Sequence, residues 1–221
     1  MNWIATLRLQ VRQSAGKQVL LYLDEMTYYR QPSVGYQYEL AGTDRPHAHQ
    51  SYRSNTKTRL VGALDACLGR VLFRQASKIG INELVALYQQ MASAYPQAER
   101  IWVVQDNWPV HFHPDVLVAL EPQESPFSFN PAPNWPEHPS KRAQKKWGDW
   151  HLPIQIVTLP SYASWLNPIE KLWRKLTQDV LHLHRCADNL ETLRERVLDF
   201  FKPFACGSTE LLQAVGLHIP N

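Results

Sequence analysis

The chain has 221 residues, 44% of them apolar and 19% charged, enough for one sizeable core and so for a single domain or a domain with an appendage. Roughly eighteen consecutive apolar residues are needed to span a membrane; no such run occurs, and Met1-Asn2-Trp3-Ile4 lacks the layout of a secretory signal, so a cytoplasmic protein with no membrane partner is expected, nucleoid-associated in a bacterium. The formal charge of +3 permits a nucleic-acid partner without arguing for one, and Cys67, Cys186 and Cys206, widely spaced and odd in number, read as reduced thiols rather than a zinc or disulfide framework.

Residues 1–17 read as an N-terminal extension, a short helix or strand. Gln18-Val19-Leu20-Leu21-Tyr22-Leu23-Asp24 is an apolar, β-prone run ending in a carboxylate, the pattern of a buried strand. Tyr36 to Leu40 reads as a further strand, and Arg59–Leu64 with Arg70–Phe73 as a hairpin. From Asn82 to Tyr95, Leu84, Leu87, Tyr88 and Met91 recur at helical steps until Pro96. Arg100 to Asp106 repeats the strand-then-acid pattern, and Ile154 to Leu159, closed by Pro160, is a third such strand. Between them, residues 121–150 carry six prolines and no sustained period, which predicts an inserted loop. After Pro168, Ile169, Leu172, Leu176, Val180 and Leu183 draw one helical stripe, and a last helix runs from Asn189 to Phe200 before Pro203. The order predicts an α/β domain over 18–205, a mixed central sheet flanked by helices with a proline-rich insertion before the last core strand, followed by a C-terminal tail, 206–221.

Acids at the carboxyl ends of parallel strands lie where α/β folds bind ligands. Strand alternation gives Leu20, Tyr22 and Asp24 one face and Trp102, Val104 and Asp106 one face, so neighbouring strands would aim two carboxylates at one point. Such a pair repels, and a divalent cation resolves the conflict. Oxygen donors suit Mg²⁺ or Mn²⁺, and two ions there would activate a nucleophile and stabilise the leaving oxygen of a phosphodiester. The plainer reading of each Asp is a turn former at a strand end.

The segment Leu159-Pro160-Ser161-Tyr162-Ala163-Ser164-Trp165-Leu166-Asn167-Pro168-Ile169-Glu170-Lys171-Leu172-Trp173 resembles the signature of DDE endonucleases of the Tc/mariner superfamily and its bacterial insertion-sequence relatives. In that family an LP-x-Y-x-x-x-LNPIE-x-x-W segment carries a third acid, here Glu170. Two further family features have counterparts in Asp24-Glu25 and in Asp106-Asn107 with His111 five positions on. The resemblance covers roughly residues 18–185 and implies a ribonuclease-H-like fold with Asp24, Asp106 and Glu170 as catalytic, metal-holding acids. It further implies hydrolysis at the ends of a transposon, attack of the freed 3′ hydroxyl on target DNA, often at TA, and a homodimer. The spacing of 170 − 106 = 64 positions exceeds that of most relatives, and Ser164-Trp165 replaces their usual Pro and acid. The paired helix-turn-helix modules expected upstream in the family are missing, so the chain would be one product of a split gene, with a separate helix-turn-helix polypeptide for end recognition, or a truncated copy, or an excised domain. Two rival readings are a structure-selective nuclease of the same fold and a transposase-derived DNA-binding protein that no longer cuts.

Each neighbouring residue has a plainer alternative. Asn167, Pro168 and Glu170 fit the N-cap, first and third positions of a capping box. Asn107 and His111 would orient Asp106 or touch the scissile phosphate, or His111 is an ordinary surface histidine. Glu25 points to the opposite strand face and is not counted as a ligand. Lys141, Arg142, Lys145 and Lys146, interleaved with Trp147 and Trp150, would hold phosphates and stack on an unpaired base, or form a solvated loop. Lys171, Arg174 and Lys175 would face a DNA backbone, unless Arg174 simply pairs with Glu170.

Overall fold

β1 (Gln18–Tyr29) is the axis of the fold. Its Leu20 and Tyr22 enter one apolar core, and its Leu21 and Leu23 another. Helices cover both faces of the sheet, which is why its sequence is an unbroken apolar run. The computed structural model describes residues 2–34, 47–123, 134–160 and 164–218; the strand expected at Tyr36–Leu40 and much of the proline-rich stretch lie outside them.

β2 (Lys57–Asp65) and β3 (Val71–Ala76) form the expected hairpin, β2 reaching beyond both predicted ends and β3 beyond its C-terminal one. β4 (Arg100–Gln105) and β5 (Ile154–Thr158) complete a five-stranded sheet in the order β3-β2-β1-β4-β5. β1, β4 and β5 are parallel, whereas β2 is antiparallel to both its neighbours. The sheet is therefore mixed, as the element order required.

β1 does not stop at Asp24. Its parallel ladder with β4 ends at Tyr22↔Val104, but its antiparallel ladder with β2 continues to Tyr29↔Lys57. Asp24 and Glu25 thus sit inside a strand at the point where it loses one neighbour. The sequence could not distinguish these cases, because a strand paired on one side keeps its extended backbone.

One face carries α1 (Asn2–Gln13), α5 (Ile169–Leu176), α6 (Leu190–Phe201) and α7 (Thr209–Val215). Leu7 and Val11 of α1 and Leu211, Leu212 and Val215 of α7 are buried in that core. Arg8 donates to Leu217 O, joining the two terminal segments. The other face carries α2 (Ile81–Ala94), a 3-10 turn (Pro109–Phe112), α3 (Pro114–Leu117) and α4 (Lys141–Trp147).

Two predicted elements differ. α4 occupies part of the expected loop: Ser140 caps it by accepting from Ala143 N at 3.2 Å, and Ala143 and Trp147 bury its inner face. With only two buried positions among charged neighbours, its period is too short to register. The long stripe after Pro168 is broken by a π-helix, Thr177–Leu181; Val180 stays buried, but Leu183 leaves the helix at φ 50°.

Candidate active site

Asp24 leaves β1 on the α5 side. Its Oδ2 accepts from Trp173 Nε1 at 2.9 Å. The Trp173 ring can lie there because the residue opposite Asp24 on β2 is Gly62: a Cβ at that position would stand 2.7 Å from Trp173 Cη2. Burial pushes the Asp24 carboxyl up to about 7, with the charges of Glu170 and then Glu25 adding to the rise, while hydrogen bonds from the Glu25 backbone and Trp173 oppose it. Glu170, in the first turn of α5, is thus near enough for its charge to act on Asp24. Among the described residues no lysine or arginine pairs with Asp24, Asp106 or Glu170.

The capping-box alternative for Glu170 fails in the structure. Asn167 is 3% exposed and its Nδ2 donates to Leu23 O, the residue before Asp24, at 2.9 Å. α5 accordingly starts without a side-chain cap. The asparagine ties the start of α5, in whose first turn Glu170 lies, to the residue before Asp24 on β1. Tyr162 of the motif lies outside the described residues.

Asp106 follows β4 and, like Asp24, stands two residues beyond the pair Tyr22↔Val104. Neighbouring strands run roughly 4.8 Å apart, so the two backbones approach closely at the carboxyl edge. The Asp106 side chain is half exposed and turns toward His111, and its charge is not among those raising Asp24. Its Oδ1 accepts from Trp108 N at 3.0 Å and lies 3.4 Å from His111 Nδ1.

His111 is 0% exposed, so the surface-histidine reading is wrong. Its Nε2 lies 2.9 Å from Glu25 Oε1. Burial works against the imidazolium, but the hydrogen bond and charge of Glu25 and the neighbouring Asp106 leave its pKa raised overall. Donor atoms of Glu25, Asp106 and His111 lie within 4.8 Å of one another. Glu25 does leave on the opposite face, as alternation required, yet sequence reasoning missed its contact because only folding brings residue 111 under residue 25. Asn107 donates to Leu159 O at 3.0 Å, fastening the end of β4 to that of β5.

The basic residues divide into two groups. Lys141, Arg142, Lys145 and Lys146 are exposed on α4, and Lys146 Nζ stands 4.6 Å from the Trp147 ring. Trp147 is 5% exposed and packs edge-on to the half-buried Trp150 in the α2-side core, so a base-stacking role for Trp147 is excluded by its burial. On α5, Lys171 Nζ points at Gly216, the C-cap of α7, and Lys175 pairs with Asp179 at 2.6 Å. Arg174 is exposed and makes no ion pair with Glu170. Trp165, two residues before the anchored Asn167, is 76% exposed. Its mark in the sequence is the departure from the family pattern at Ser164-Trp165.

Oxygen donors confronting one another without a lysine or arginine are the surroundings a hard divalent cation takes. Asp24 and Glu170, with Asp106 on the adjoining strand, fit that requirement, since a cation would remove the repulsion that raises Asp24.

A family model described as DDE superfamily endonuclease matches residues 19–194. A curated Shigella sonnei protein, the insertion element IS630 uncharacterized 39 kDa protein, is 19% identical over 206 residues, covering 92% of this chain and 51% of its own. Among solved structures, a pre-cleavage Mos1 transpososome superposes with a TM-score of 0.57 at 14% identity, covering 97% of this chain and 57% of that one. The Mos1 transposase paired-end complex with left transposon end gives 0.56 at the same identity, covering 97% and 56%. The chain therefore spans about half the length of the relatives it matches, and the mixed α/β fold is the ribonuclease-H-like one expected.

Proposed function

We propose, from the premise that this chain belongs to the DDE superfamily of endonucleases, that it is the catalytic domain of a transposase, cutting DNA at transposon ends and joining the freed ends to target DNA. The observation that carries this reading is that Asp24 and Asp106 both stand two residues beyond the pair Tyr22↔Val104 while Asn167 ties the start of the helix bearing Glu170 to Leu23 O, and among the described residues no lysine or arginine pairs with the three acids. Asp24, Asp106 and Glu170 would hold Mg²⁺ or Mn²⁺, two ions by family resemblance. Divalent ions at such a site supply Lewis-acid activation of a nucleophile and charge stabilisation at a phosphodiester.

The protein groups have separable tasks. Trp173 holds the Asp24 carboxylate, Asn167 sets the start of α5, and Asn107 keeps the ends of β4 and β5 together. α4 stands at the same edge as the acids: β3 runs parallel to β1, α2 starts after β3, and Lys146 reaches Asn82 in the first turn of α2 at 3.4 Å. Lys141, Arg142, Lys145 and Lys146 would hold phosphates of a duplex entering that edge, a reading their exposure supports. Trp165 offers its ring to an unpaired base next to the cut. On α5, Arg174 is the cation best placed for the DNA backbone, since Lys171 and Lys175 already face Gly216 and Asp179.

The partners of this reading are transposon terminal inverted repeats, target DNA and a second copy of the chain. Nicking of supercoiled plasmid needs no end sequence and is the direct test: Mg²⁺- or Mn²⁺-dependent nicking that Asp106→Asn abolishes is expected. Precut ends offered with target DNA then test joining. Cutting without joining would favour a structure-selective nuclease, and DNA binding with no cutting a transposase-derived binding protein.

A further inference from the structure

Glu25 succeeds Asp24 on β1, so its side chain enters the α2 side of the sheet, among Leu21, Leu23, Tyr88 and Phe112. An ionised carboxylate there needs a partner. His111 supplies it, with Nε2 2.9 Å from Glu25 Oε1 and 20% of the Glu25 side chain still exposed. The other ring nitrogen lies 3.4 Å from both the backbone O and Oδ1 of Asp106. The edges of Trp108 and Phe112 meet the ring at centroid distances of 5.3 and 6.5 Å, which fixes its plane.

A carboxylate and a carbonyl only accept hydrogen bonds. His111 stands between acceptors on both sides: Glu25 holds one edge of the ring, and Asp106 faces the other. Replace the Glu25 carboxylate by a neutral acceptor and the Nε2 edge is held more weakly, so the ring is no longer fixed against the two oxygens of Asp106. Asp106 Oδ1 is then held by the Trp108 N–H alone.

We propose that Glu25 is a positioning residue for the site: through His111 it pins Asp106 by Oδ1 and so presents Oδ2 to a divalent cation. This deepens the proposed ion site and rests on it. Groups behind metal-holding side chains commonly change metal affinity about 10- to 100-fold, and a Glu25→Gln effect of that size is expected.

The test is a Mn²⁺ titration of the full chain, with free ion followed by EPR, for the unaltered protein, Glu25→Gln, His111→Gln and the double variant, with thermal melts confirming the fold. Weaker Mn²⁺ binding in Glu25→Gln supports the proposal, as does the disappearance of that effect when His111 is already Gln. Plasmid nicking by Glu25→Gln should recover as Mn²⁺ is raised, which a loss of chemistry alone would not allow. A folded Glu25→Gln that binds Mn²⁺ as the unaltered chain does overturns it, and so does ¹⁴N coupling to bound Mn²⁺ that marks His111 as a ligand. Should Glu25→Gln unfold, Glu25→Asp, which keeps the charge but draws it back from the ring, takes its place: weaker Mn²⁺ binding that vanishes when His111 is already Gln is expected, and unchanged Mn²⁺ binding overturns the proposal. Unchanged Mn²⁺ binding in Asp106→Asn sinks the ion site itself, whereas loss in Asp106→Asn with none in Glu25→Gln sinks only the role of Glu25.

Discussion

Trp173 Nε1 donates a 2.9 Å hydrogen bond to Asp24 Oδ2, joining the last residue of the α5 signature to the first acid across 149 positions of sequence. The indole is 4% exposed and packs edge-on to Phe201 at a centroid distance of 6.2 Å, so the donor is held by the core rather than by solvent-exposed geometry.

Trp173→Phe keeps an aromatic ring in the core and removes the donor. A hydrogen bond to a charged group contributes about 1.5–3 kcal/mol. The expected outcome is a folded protein whose plasmid nicking falls at least roughly tenfold, since each 1.4 kcal/mol is a factor of ten. Gly62→Ala should act from the other side, because its Cβ would press on the ring at 2.7 Å. Overpacking of this kind costs about 1–3 kcal/mol, read as a lower melting temperature. Melting and nicking of both variants check the pair; full nicking by Trp173→Phe would show that Asp24 is held without it.

Addition of Mg²⁺ or Mn²⁺ should raise the melting temperature, since a ligand bound by the folded state alone stabilises it by mass action. At a hundred times the dissociation constant the gain is about 2.7 kcal/mol. In EDTA, Asp24→Asn should melt higher than the unaltered chain at pH 8, because a half-buried carboxylate facing Glu170 is removed, and it should gain less from Mg²⁺. Calorimetry with and without the metal checks both signs.

His184 sets an acid limit on the fold. It is 4% exposed, its Nδ1 accepts from Cys186 N at 3.1 Å, and its Nε2 is buried without a partner among the described residues. Burial and then the charge of Arg196 lower its pKa. Below the ordinary histidine value of about 6.5 the unfolded chain binds a proton that the folded one resists. Its stabilising contribution is therefore complete above about 6.5 and lost as pH falls from there through the depressed folded value. Denaturant unfolding between pH 7.5 and 5 should show stability dropping with acid, and His184→Gln should flatten that slope.

Replacing Lys145 and Lys146 on α4 by Ala removes two exposed cations without touching Ala143 or Trp147 on the buried side. Each lost phosphate contact lowers the salt slope of duplex binding by about 0.9. Fluorescence anisotropy from 50 to 200 mM salt should show weaker binding and a shallower slope by roughly two contacts; an unchanged slope would place the duplex elsewhere.

The strands, their parity and the start of α5 were legible in the sequence because they rest on local patterns. Leu20 to Leu23 alternate between two cores, and Asn-Pro-Ile-Glu opens a helix, whatever the rest of the chain does. The tertiary structure alone decided what those local patterns leave open. Asn167 could have capped its own helix, but its amide goes to Leu23 O because α5 packs onto β1. Trp147 could have met a base, but α4 turns it into the core. Glu25 was set aside on parity, and parity was right; its partner His111 comes from a turn 86 positions later, which no spacing rule in one strand can supply. Side-chain direction along an element is a short-range property of the backbone, whereas the identity of the group it meets is set by packing between elements distant in sequence.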